Sequence, residues 1–417
     1  MITVAEARQL LLAGITPLPP LRFATGEACG HVLAETVLAG EAVPRFANSA
    51  MDGYAVRTAD VTGIPTRLCV TGTVAAGDGP GPGLAPGGAV RIMTGAPLPP
   101  GADAVCPVEH VLVDDGGSAV LIKETVSPGA NVRLPGEDIA AGSVVFPAGT
   151  QLRAPHIGVL ASLGIGSVLV RPRPAVAVLS TGSELAGPGG ALGAGKIRDV
   201  NRPALLAQLR TDGFRVIDLG AGADDLDVLS GLLTAGAARC DAVVATGGVS
   251  VGDHDVLKVA LGQAGGATMR SLQVAVKPGR HVAAALLGAR RVPAFGLPGN
   301  PVAALVTYEL YVRPALRRLA GCAVLDRPRF TATTETDLPR GPGSRLHLVR
   351  VAARTGPCGN LLVRLSGGQE SHMLRAMAQA NALALLPGGD GVRAGGSVEV
   401  MLLDPDVPGP DPAPARW

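Results

Sequence analysis

Residues 241–255 (DAVVATGGVSVGDHD) constrain the fold of this chain more than any other stretch. They begin with the apolar run 242–245, which predicts a buried parallel strand, and 256–261 predicts a helix. Between them, Gly247 and Gly248 allow a sharp turn whose N–H groups can face an anion. A strand, a glycine turn, acids and a helix N-terminus together predict a site for phosphate and a divalent cation. A tight turn with solvated acids is the alternative, since glycine-rich loops are common.

Two other segments have the same organisation. Residues 174–185 (PAVAVLSTGSEL) form an apolar run that ends in hydroxyls, a glycine and an acid. Residues 292–302 (VPAFGLPGNPV) form a third such run, and residues 302–310 after it predict a helix. Ligands of open parallel sheets bind outside the carboxyl ends of the strands. Three such loops therefore predict one shared site.

Residues 171–321 alternate between strand and helix patterns. This predicts a right-handed, doubly wound parallel sheet, an α/β domain that we place at residues 169–322. The expected strands are 175–179, 214–219, 242–245 and 292–295, and the expected helices are 202–209 and 226–235. Strand patterns then dominate and predict a β-barrel-like C-terminal domain at 323–404, with strands at 346–352, 361–365, 382–386 and 397–402. The Pro- and Asp-rich residues 405–417 are expected to be a disordered tail.

The first third of the chain predicts two smaller domains. Thr3 and Glu6 match a capping box, and the apolar stripe after them predicts a helix that ends near Gly14. Residues 25–34 and 155–163 predict two further helices. Short strands broken by glycine and proline predict a β-rich domain at 43–133. We expect this domain to be inserted into a small α+β N-terminal domain formed by 1–42 plus 134–168.

Composition excludes several classes of function. The net charge is +2 without a basic tract and aromatic residues make up 2%, which argues against nucleic-acid and anionic-membrane binding. The six cysteines are far apart and predict neither a zinc site nor a disulfide framework. The most apolar long stretch, 157–170, is too short to span a bilayer. Since no signal-peptide pattern is visible either, we expect a cytoplasmic protein.

Seven motifs, in this order, resemble the molybdopterin molybdenumtransferases, the MoeA family that includes the C-terminal domain of gephyrin. They are SAMDGYAV (49–56), IMTGA (92–96), RLPGEDI (133–139), STGSEL (180–185), GGVSVG (247–252) with Asp255, KPG (277–279) and GLPGNP (296–301). Each is weak alone, but their joint occurrence is specific and spans essentially the whole chain. The resemblance implies an elongated homodimer of four-domain subunits with a MogA-like α/β domain.

The resemblance also implies a reaction, in which molybdenum from molybdate is inserted into adenylylated molybdopterin with Mg²⁺-dependent release of AMP. Because one substrate carries a pyrophosphate and the other is an oxyanion, the site needs cations, backbone N–H donors and a divalent metal to bind them. The implied catalytic residues are Asp52, Thr94, Glu184, Asp224, Asp255 and Lys277. Glu184, Asp224 and Asp255 would surround Mg²⁺. The alternative is helix N-terminal charge for Glu184 and Asp255, and a helix N-cap for Asp224.

Further residues match family positions for substrate binding. They are Ser180, Thr181, Gly182, Gly247, Gly248, Ser250, Arg280, Pro298, Gly299, Asn300, Arg133, Asp138, Arg350 and Ser371. For Arg133, Asp138, Arg350 and Ser371 a structural ion pair or contact competes with this role. The flexible ammonium of Lys277 suits a point anion, phosphate or molybdate. We expect Asp52 and Thr94 to reach the cleft from the β-rich domain, with the partner subunit as a possible source.

The chain departs from the family pattern in three places. Gln273 stands where a basic residue is usual, Arg280-His281 stands where Lys-Pro is commoner, and Glu370 stands where glycine is frequent. A missing cation and an added carboxylate both weaken the attraction for molybdate, and Arg280 with His281 is expected to compensate in part.

Two rival functions follow from the same residues. One is a MogA-type molybdopterin adenylyltransferase that uses only the α/β domain, which the full-length resemblance disfavours. The other is a non-catalytic dimeric scaffold. Unpaired buried charges are expensive without a ligand, so the retention of Glu184, Asp255 and Lys277 argues against it. The sequence does not decide between molybdate and tungstate, nor whether an adenylyltransferase partner hands over the substrate.

Overall fold

The computed structural model describes residues 1–114, 116–187, 189, 191–249, 255–404 and 406–408. The chain forms two compact units. One contains Met1–Leu21, Gly30–Val32 and the chain from Val170 onward, and the other contains Arg22–Cys29 and Leu33–Leu169. In these described ranges no helix is long and apolar enough to cross a membrane. The predicted division into four domains, with boundaries at 42, 133, 168, 322 and 404, stays a prediction, and most of the predicted tail (405 and 409–417) lies outside the described residues.

The unit around Leu33–Leu169 is rich in β-structure, as predicted. The strands up to residue 171 are β1 (Leu21–Ala24), β2 (Val32–Leu33), β3 (Val37–Leu38), β4 (Asn48–Ser49), β5 (Gly53–Val56), β6 (Thr66–Val74), β7 (Gly88–Ile92), β8 (Ala104–Pro107), β9 (Val111–Val113), β10 (Ala119–Ile122), β11 (Val132–Arg133), β12 (Val144–Phe146) and β13 (Ser167–Arg171). Six of them form a sheet of order β8-β5-β7-β6-β10-β9. Side-chain alternation gives this sheet a core on each face, because Tyr54 and Val56 join one apolar cluster and Ala55 joins the other.

Two of the three helices predicted before residue 170 are present. They are α1 (Val4–Leu12), with the predicted Thr3–Glu6 capping box, and α2 (Ala154–Ser162). The prediction of a helix over residues 25–34 is wrong. That segment holds a single 3₁₀ turn, Thr25–Glu27, and then β2. Gly30 breaks the helical pattern, because it has a φ of +82° and a Cβ there would lie 2.0 Å from Arg173 Nη2.

A three-layer α/β fold lies in the other unit. Its elements are β14 (Ala175–Thr181), β15 (Leu185–Ala186), β16 (Ile197–Arg198), α3 (Asn201–Thr211), β17 (Arg215–Gly222), α4 (Leu226–Arg239), β18 (Ala242–Gly247), α5 (Val256–Gly265), β19 (Arg270–Gln273), β20 (Val276–Lys277), β21 (His281–Leu287), β22 (Val292–Pro298), α6 (Pro301–Thr307) and α7 (Arg313–Leu319), with one π-helical turn, Tyr308–Val312, between the last two helices. The sheet order is β17-β14-β18-β22-β21-β19. The first four strands are parallel, as predicted, and β21 and β19 extend the sheet in antiparallel fashion.

Alternate residues of the central strands explain the three layers. Val176 and Val178 of β14 pack in one apolar cluster with Leu205 and Leu209 of α3, and α6 and α7 contribute to the same cluster. Ala177 of β14 belongs to the opposite cluster, which contains buried residues of α4 and α5. A strand buried on both faces in this way has the continuous apolar sequence seen in residues 175–179.

The C-terminal strands close into a small barrel. The remaining elements are β23 (Arg329–Thr334), β24 (Leu338–Pro339), β25 (Leu346–Thr355), β26 (Leu361–Leu365), α8 (Leu374–Ala378), β27 (Ala382–Leu386), β28 (Gly391–Val392) and β29 (Ser397–Leu402). Pairing runs β25-β26-β23-β29-β27 and returns to β25, so five strands close on themselves. This confirms the predicted barrel-like domain. Strand β20, which ends at Lys277, adds to the barrel beside β25.

A buried ionic cluster joins the end of α3 to the chain after α7. Asp212 accepts hydrogen bonds from Tyr308 Oη (2.7 Å), Arg313 Nε (3.3 Å) and Arg327 Nη2 (2.9 Å). Arg327 also donates to both carboxylate oxygens of Glu309, each at 3.0 Å. Burial raises the pKa of Glu309, and the Arg327 guanidinium opposes that effect. The cluster satisfies its own charges, so removal of one member leaves the others unpaired.

We expect Asp212→Ala to lower the free energy of unfolding by about 3–5 kcal/mol, because two buried guanidinium groups lose their shared carboxylate. Urea unfolding followed by circular dichroism measures this. The control is Arg329→Ala, since Arg329 pairs with Glu399 at the surface and both side chains are about half exposed. That change should cost less than about 1 kcal/mol. Equal losses in the two variants would contradict the assignment.

Candidate active site

The carboxyl ends of three neighbouring strands meet at one edge of the α/β sheet. Parallel pairing sets Ser180 of β14 opposite Thr246 of β18, and Gly247 of β18 opposite Pro298 of β22. The approach is so close that a Cβ at Gly247 would lie 2.3 Å from Thr181 Cγ2, so only glycine fits there. The three loops expected to share a site are therefore adjacent in space.

Two cavities lie at this edge. The first, of about 560 Å³, we call the acidic cavity; it is lined by Thr181, Gly182, Glu184, Asp199, Asn201 and Asp224, among others. The second, of about 290 Å³, we call the basic cavity; it is lined by Lys277, Arg280, His281, Pro298, Glu370 and Ser371, among others. Both include Gly247, Gly248, Gly299 and Asn300 in their walls. The cavities are thus neighbours separated by two glycine loops.

Asp224 belongs to the acidic cavity and not to a helix cap. Its Oδ1 accepts from Thr181 Oγ1 at 2.6 Å, and its Oδ2 accepts from Ser183 N at 3.0 Å. The N-cap of α4 is the next residue, Asp225, which accepts from Val228 N at 2.9 Å. The helix-cap interpretation of Asp224 is therefore wrong, and Asp224 ties the loop after β14 to the loop after β17.

Glu184 lies in the turn that follows β14. The strand β15 comes next, so the alternative of helix N-terminal charge does not apply to Glu184. Its carboxylate lies over Gly182, where a Cβ would come within 2.7 Å of both carboxylate oxygens. The side chain is exposed and lines the acidic cavity. A carboxylate on a cavity wall can bind a cation or a hydrogen-bond donor.

Asp255 immediately precedes α5 but does not cap it through its side chain. Its Oδ1 lies behind Gly248, 2.9 Å from the position of a Cβ there. Its Oδ2 is buried and has no hydrogen-bond partner among the described residues. A buried carboxylate oxygen without a partner is costly, and Asp255 itself lines neither cavity but lies behind Gly248, which lines both.

The described residues hold no group of three or more His, Cys, Asp or Glu side chains arranged as metal ligands. Glu184, Asp224 and Asp255 therefore do not form a ready-made cage. Mg²⁺ does not require one, since it is typically bound by one or two carboxylates together with substrate phosphates and water. Glu184 and Asp224 line the acidic cavity and fit such a partial site, whereas Asp255 lines neither cavity. Ser250, the other predicted residue of this loop, lies outside the described residues.

Lys277 and Arg280 give the basic cavity its positive side, and His281 lines the cavity beside them. Lys277 and Arg280 are exposed. Gly279 makes the turn between them possible, with a φ of +95° and room for no side chain, since a Cβ would lie 2.7 Å from Thr307 Oγ1. Burial and the nearby charge of Arg280 lower the pKa of His281, while Asp255 acts in the opposite direction. The cavity thus presents two permanent cations and a neighbouring imidazole.

Gln273, the departure from the family pattern, contacts one of these cations. Its Oε1 accepts from Arg280 Nη2 at 3.1 Å. Residues 273 and 281 are opposite each other in the β19–β21 pair, so the strand register places Gln273 beside the Arg280 turn. Gln273 therefore holds the guanidinium of Arg280, the residue expected to compensate for the missing cation at position 273.

Arg350 of β25 supports the wall of the basic cavity through the 368–371 loop. It is fully buried, and its Nη2 donates to Gly368 O (2.7 Å) and Glu370 O (3.2 Å). Burial lowers the pKa of Arg350, and the charge of Glu370 opposes this. Arg350 does not itself line the cavity, whereas Glu370 and Ser371 do. Its contacts make it a residue that positions the 368–371 loop.

Ser180 and Asp199 form a buried pair that the sequence did not reveal. Ser180 Oγ donates to Asp199 Oδ2 at 2.6 Å, and Arg202 Nε donates to the same oxygen at 2.9 Å. Ser180 lines neither cavity; it anchors Asp199, which lines the acidic one. Asp199 and Asn201 stand just before Pro203 at the start of α3. An acid and an amide at a predicted helix start could have drawn attention to them.

In the other unit, two of the sequence motifs lie side by side. Ser49 N donates to Ala96 O (3.0 Å) and Gly95 N donates to Ser49 O (2.8 Å). Asp52 accepts from Thr94 N (2.7 Å) and from Thr94 Oγ1 (2.9 Å), and these bonds lower the pKa of Asp52. Arg133, at the end of β11, pairs with Asn48. Asp138 N donates to Val43 O.

Thr94→Val should raise the pKa of Asp52 toward its ordinary value, because the hydroxyl donor to the carboxylate is lost while the backbone N–H remains. A ¹³C NMR titration of the Asp52 carboxyl group measures the shift. Thr71→Val is the matched control: its hydroxyl donates to Ala89 O and not to Asp52. An unchanged Asp52 titration in Thr94→Val would contradict the proposed pairing.

Comparisons with known proteins agree along the chain. Residues 2–164 match the family described as the MoeA N-terminal region (domain I and II), residues 177–318 match the probable molybdopterin binding domain, and residues 331–403 match the MoeA C-terminal region (domain IV). Molybdopterin molybdenumtransferase 2 of Mycobacterium tuberculosis is 37% identical over 93% of this chain and 96% of its own length. Molybdopterin molybdenumtransferase of Staphylococcus aureus is 34% identical over 97% of this chain and 96% of its own length.

A solved structure is similar over the same extent. The molybdopterin biosynthesis MoeA protein of Pyrococcus horikoshii superimposes with a TM-score of 0.80 and 28% identity, covering 96% of this chain and all of that one. The agreement in sequence, in domain order and in fold extends from the first helix to the barrel. The chain belongs to the MoeA family of molybdopterin molybdenumtransferases.

Proposed function

We propose that this protein inserts molybdenum from molybdate into adenylylated molybdopterin and releases AMP. The observation that carries the proposal is the pair of adjoining cavities, one acidic and one basic, that share the walls Gly247–Gly248 and Gly299–Asn300. A substrate with a phosphoanhydride and a separate oxyanion needs two such neighbouring environments. The family membership adds independent support, since the relatives are transferases named for this reaction.

The acidic cavity suits the phosphoanhydride. Its walls contain the glycine turns after β14, β18 and β22, where backbone N–H groups can donate to phosphate oxygens. Glu184, Asp224 and Asp255 would hold Mg²⁺ with the phosphates, and the bound ion would neutralise charge on the leaving AMP. Thr181 and Ser183 fix Asp224 by hydrogen bonds, so this carboxylate keeps its orientation. The chain's own contribution is to orient the anhydride and shield its charge.

The basic cavity suits molybdate, which is a substrate here. Lys277 offers an ammonium that can adapt to a tetrahedral anion, and Arg280 adds a guanidinium held by Gln273. Glu370 lines the same cavity and opposes anion binding, so the net attraction depends on both cations. Ser371 can donate its hydroxyl to an oxyanion. Arg350 keeps the loop that carries these two residues in place.

Several expectations stay predictions. The homodimer, the adenylyltransferase partner and the roles of Asp52, Thr94, Arg133 and Asp138 are implied by the family resemblance. The cytoplasmic location is implied by the sequence. Ser250 keeps its predicted substrate-binding role on the same basis.

The direct test supplies adenylylated molybdopterin, molybdate and Mg²⁺ to the purified chain and measures AMP. We expect AMP to appear together with molybdenum bound to the pterin. Absence of AMP, combined with formation of the adenylate from ATP and molybdopterin, would establish the rival adenylyltransferase. Absence of both reactions would support a non-catalytic scaffold.

Asp255→Asn should raise the Mg²⁺ concentration that gives half-maximal AMP release by about 10- to 100-fold, because a carboxylate proposed to hold the ion becomes neutral. EDTA should abolish the reaction in the unmodified protein. Asp225→Asn is the matched control, because Asp225 caps α4 and asparagine caps helices equally well. An unchanged Mg²⁺ dependence in Asp255→Asn would remove Asp255 from the metal site.

Gln273→Leu should raise the KM for molybdate by about 3- to 10-fold with little change in kcat, because Arg280 loses the acceptor that holds its guanidinium. Steady-state AMP release at varied molybdate measures this. Gln9→Leu, an exposed position on α1, serves as the control. A drop in kcat at constant KM would show that Gln273 acts in some other way.

A further inference from the structure

His372 belongs to the barrel, where it lies between β26 and α8, and it lines the acidic cavity together with residues of the α/β fold. The two residues before it, Glu370 and Ser371, line the basic cavity instead. One short loop of the barrel thus contributes to both cavities. Neither the sequence motifs nor the contacts proposed above give His372 a role.

The His372 side chain is accessible to a ligand in the acidic cavity. His372 is exposed, and its imidazole has no hydrogen-bond partner among the described residues. Arg198 also lines this cavity, but its Nη1 donates to the backbone oxygens of Gly187 and Gly189. The Arg198 guanidinium is therefore engaged by the protein backbone, whereas the His372 imidazole is available to a ligand.

The backbone that carries His372 is held in place on both sides. Val302 N, in α6, donates to Ser371 O at 3.1 Å, and Leu374 N donates to His372 O at 2.9 Å. Arg350 holds the preceding part of the loop, as described above. A group on a fixed backbone loses less conformational entropy when it binds a ligand.

A phosphoanhydride needs hydrogen-bond donors, because its oxygens are negatively charged acceptors. The carboxylates of Glu184, Asp199 and Asp224 on the cavity wall cannot donate when they are ionised. An imidazole carries at least one N–H donor in either protonation state. Hydrogen bonds to an ionised oxygen are also stronger than those between neutral groups. His372 therefore supplies what the acids of this cavity lack.

We propose that His372 is a phosphate-binding residue, whose imidazole N–H donates a hydrogen bond to an oxygen of the substrate's phosphoanhydride. The proposal rests on the proposed function, which places the phosphoanhydride in the acidic cavity. The barrel then contacts the phosphoanhydride through His372 and molybdate through Ser371. One loop binds a part of each substrate.

Calorimetric titration with ADP, adenosine and molybdate, each in the presence of Mg²⁺, tests this role. ADP carries an adenosine-linked phosphoanhydride, and adenosine lacks every phosphate. We expect His372→Ala to weaken ADP binding about 5- to 30-fold, because a hydrogen bond to a charged oxygen is lost. Adenosine and molybdate should bind as they do to the intact chain. His372→Gln, which keeps an N–H donor, should retain most of the ADP affinity.

The molybdate titration separates a direct contact from a disturbed loop, since Glu370 and Ser371 of the same loop line the basic cavity. His110→Ala is the control, because His110 is a half-exposed histidine that pairs with Glu124 and lines neither cavity. It should leave all three affinities unchanged. Thermal melting checks that each variant is folded, and His372→Leu replaces His372→Ala if the latter is not.

Four results would overturn the proposal: equal ADP affinity in His372→Ala and the intact chain, a parallel loss of adenosine or molybdate affinity, a loss in His372→Gln as large as in His372→Ala, or no ADP binding to the intact chain at millimolar concentration. AMP release by the intact chain is measured separately. AMP release combined with ADP binding that does not depend on His372 contradicts only the role of His372. ADP binding that depends on His372, without AMP release, contradicts only the proposed function.

Discussion

The parallel pairing of β14, β18 and β22 is the constraint on which the rest of the site depends. Hydrogen bonds between these strands leave no freedom in register, so Thr181, Gly247 and Pro298 end at the same edge of the sheet. The approach there is closer than any side chain allows at residue 247. Glycine at that position is therefore required by packing. Because the strands are buried on both faces, the helices behind them hold this edge rigid.

Polar groups behind the cavity walls do much of the positioning. Arg350 holds the 368–371 loop, Ser180 and Arg202 hold Asp199, and Gln273 holds Arg280. None of these supporting groups needs to touch a substrate to matter. Each fixes a loop whose own residues line a cavity, and a catalytic group is effective only when its orientation is fixed in advance. Gln273 is one example. It stands where the family usually has a cation, and its side-chain oxygen instead accepts a hydrogen bond from the cation Arg280, seven residues later.

The elements that sequence predicts well are those whose pattern is set by burial on regular structure. The strands at 361–365, 382–386 and 397–402 occur at the expected residues. Alternating or continuous apolar side chains predict such buried strands directly from the sequence. The helix expected at 25–34 failed because a close contact of Gly30 with Arg173, distant in sequence, overrides local propensity. The antiparallel extension by β19 and β21 was likewise not expected, since strand direction depends on the connection between strands and not on their residues.

By itself the sequence determined the family, the central α/β fold and the presence of a sheet edge with glycine turns, acids and a lysine, since glycine turns, caps and apolar periodicity are local properties. Only the tertiary structure decided which side chains face the cavities. It showed that Asp225 caps the helix and that Asp224 lines the acidic cavity. It also showed that Ser180 and Arg350 support neighbouring groups and do not line a cavity. Asp199 and Asn201, which the sequence did not indicate, lie in the cavity wall. The physical reason is that a hydrogen bond between groups 19 to 98 residues apart leaves no trace in the chain's local pattern, and such bonds hold Asp199 and Asn201 at this site.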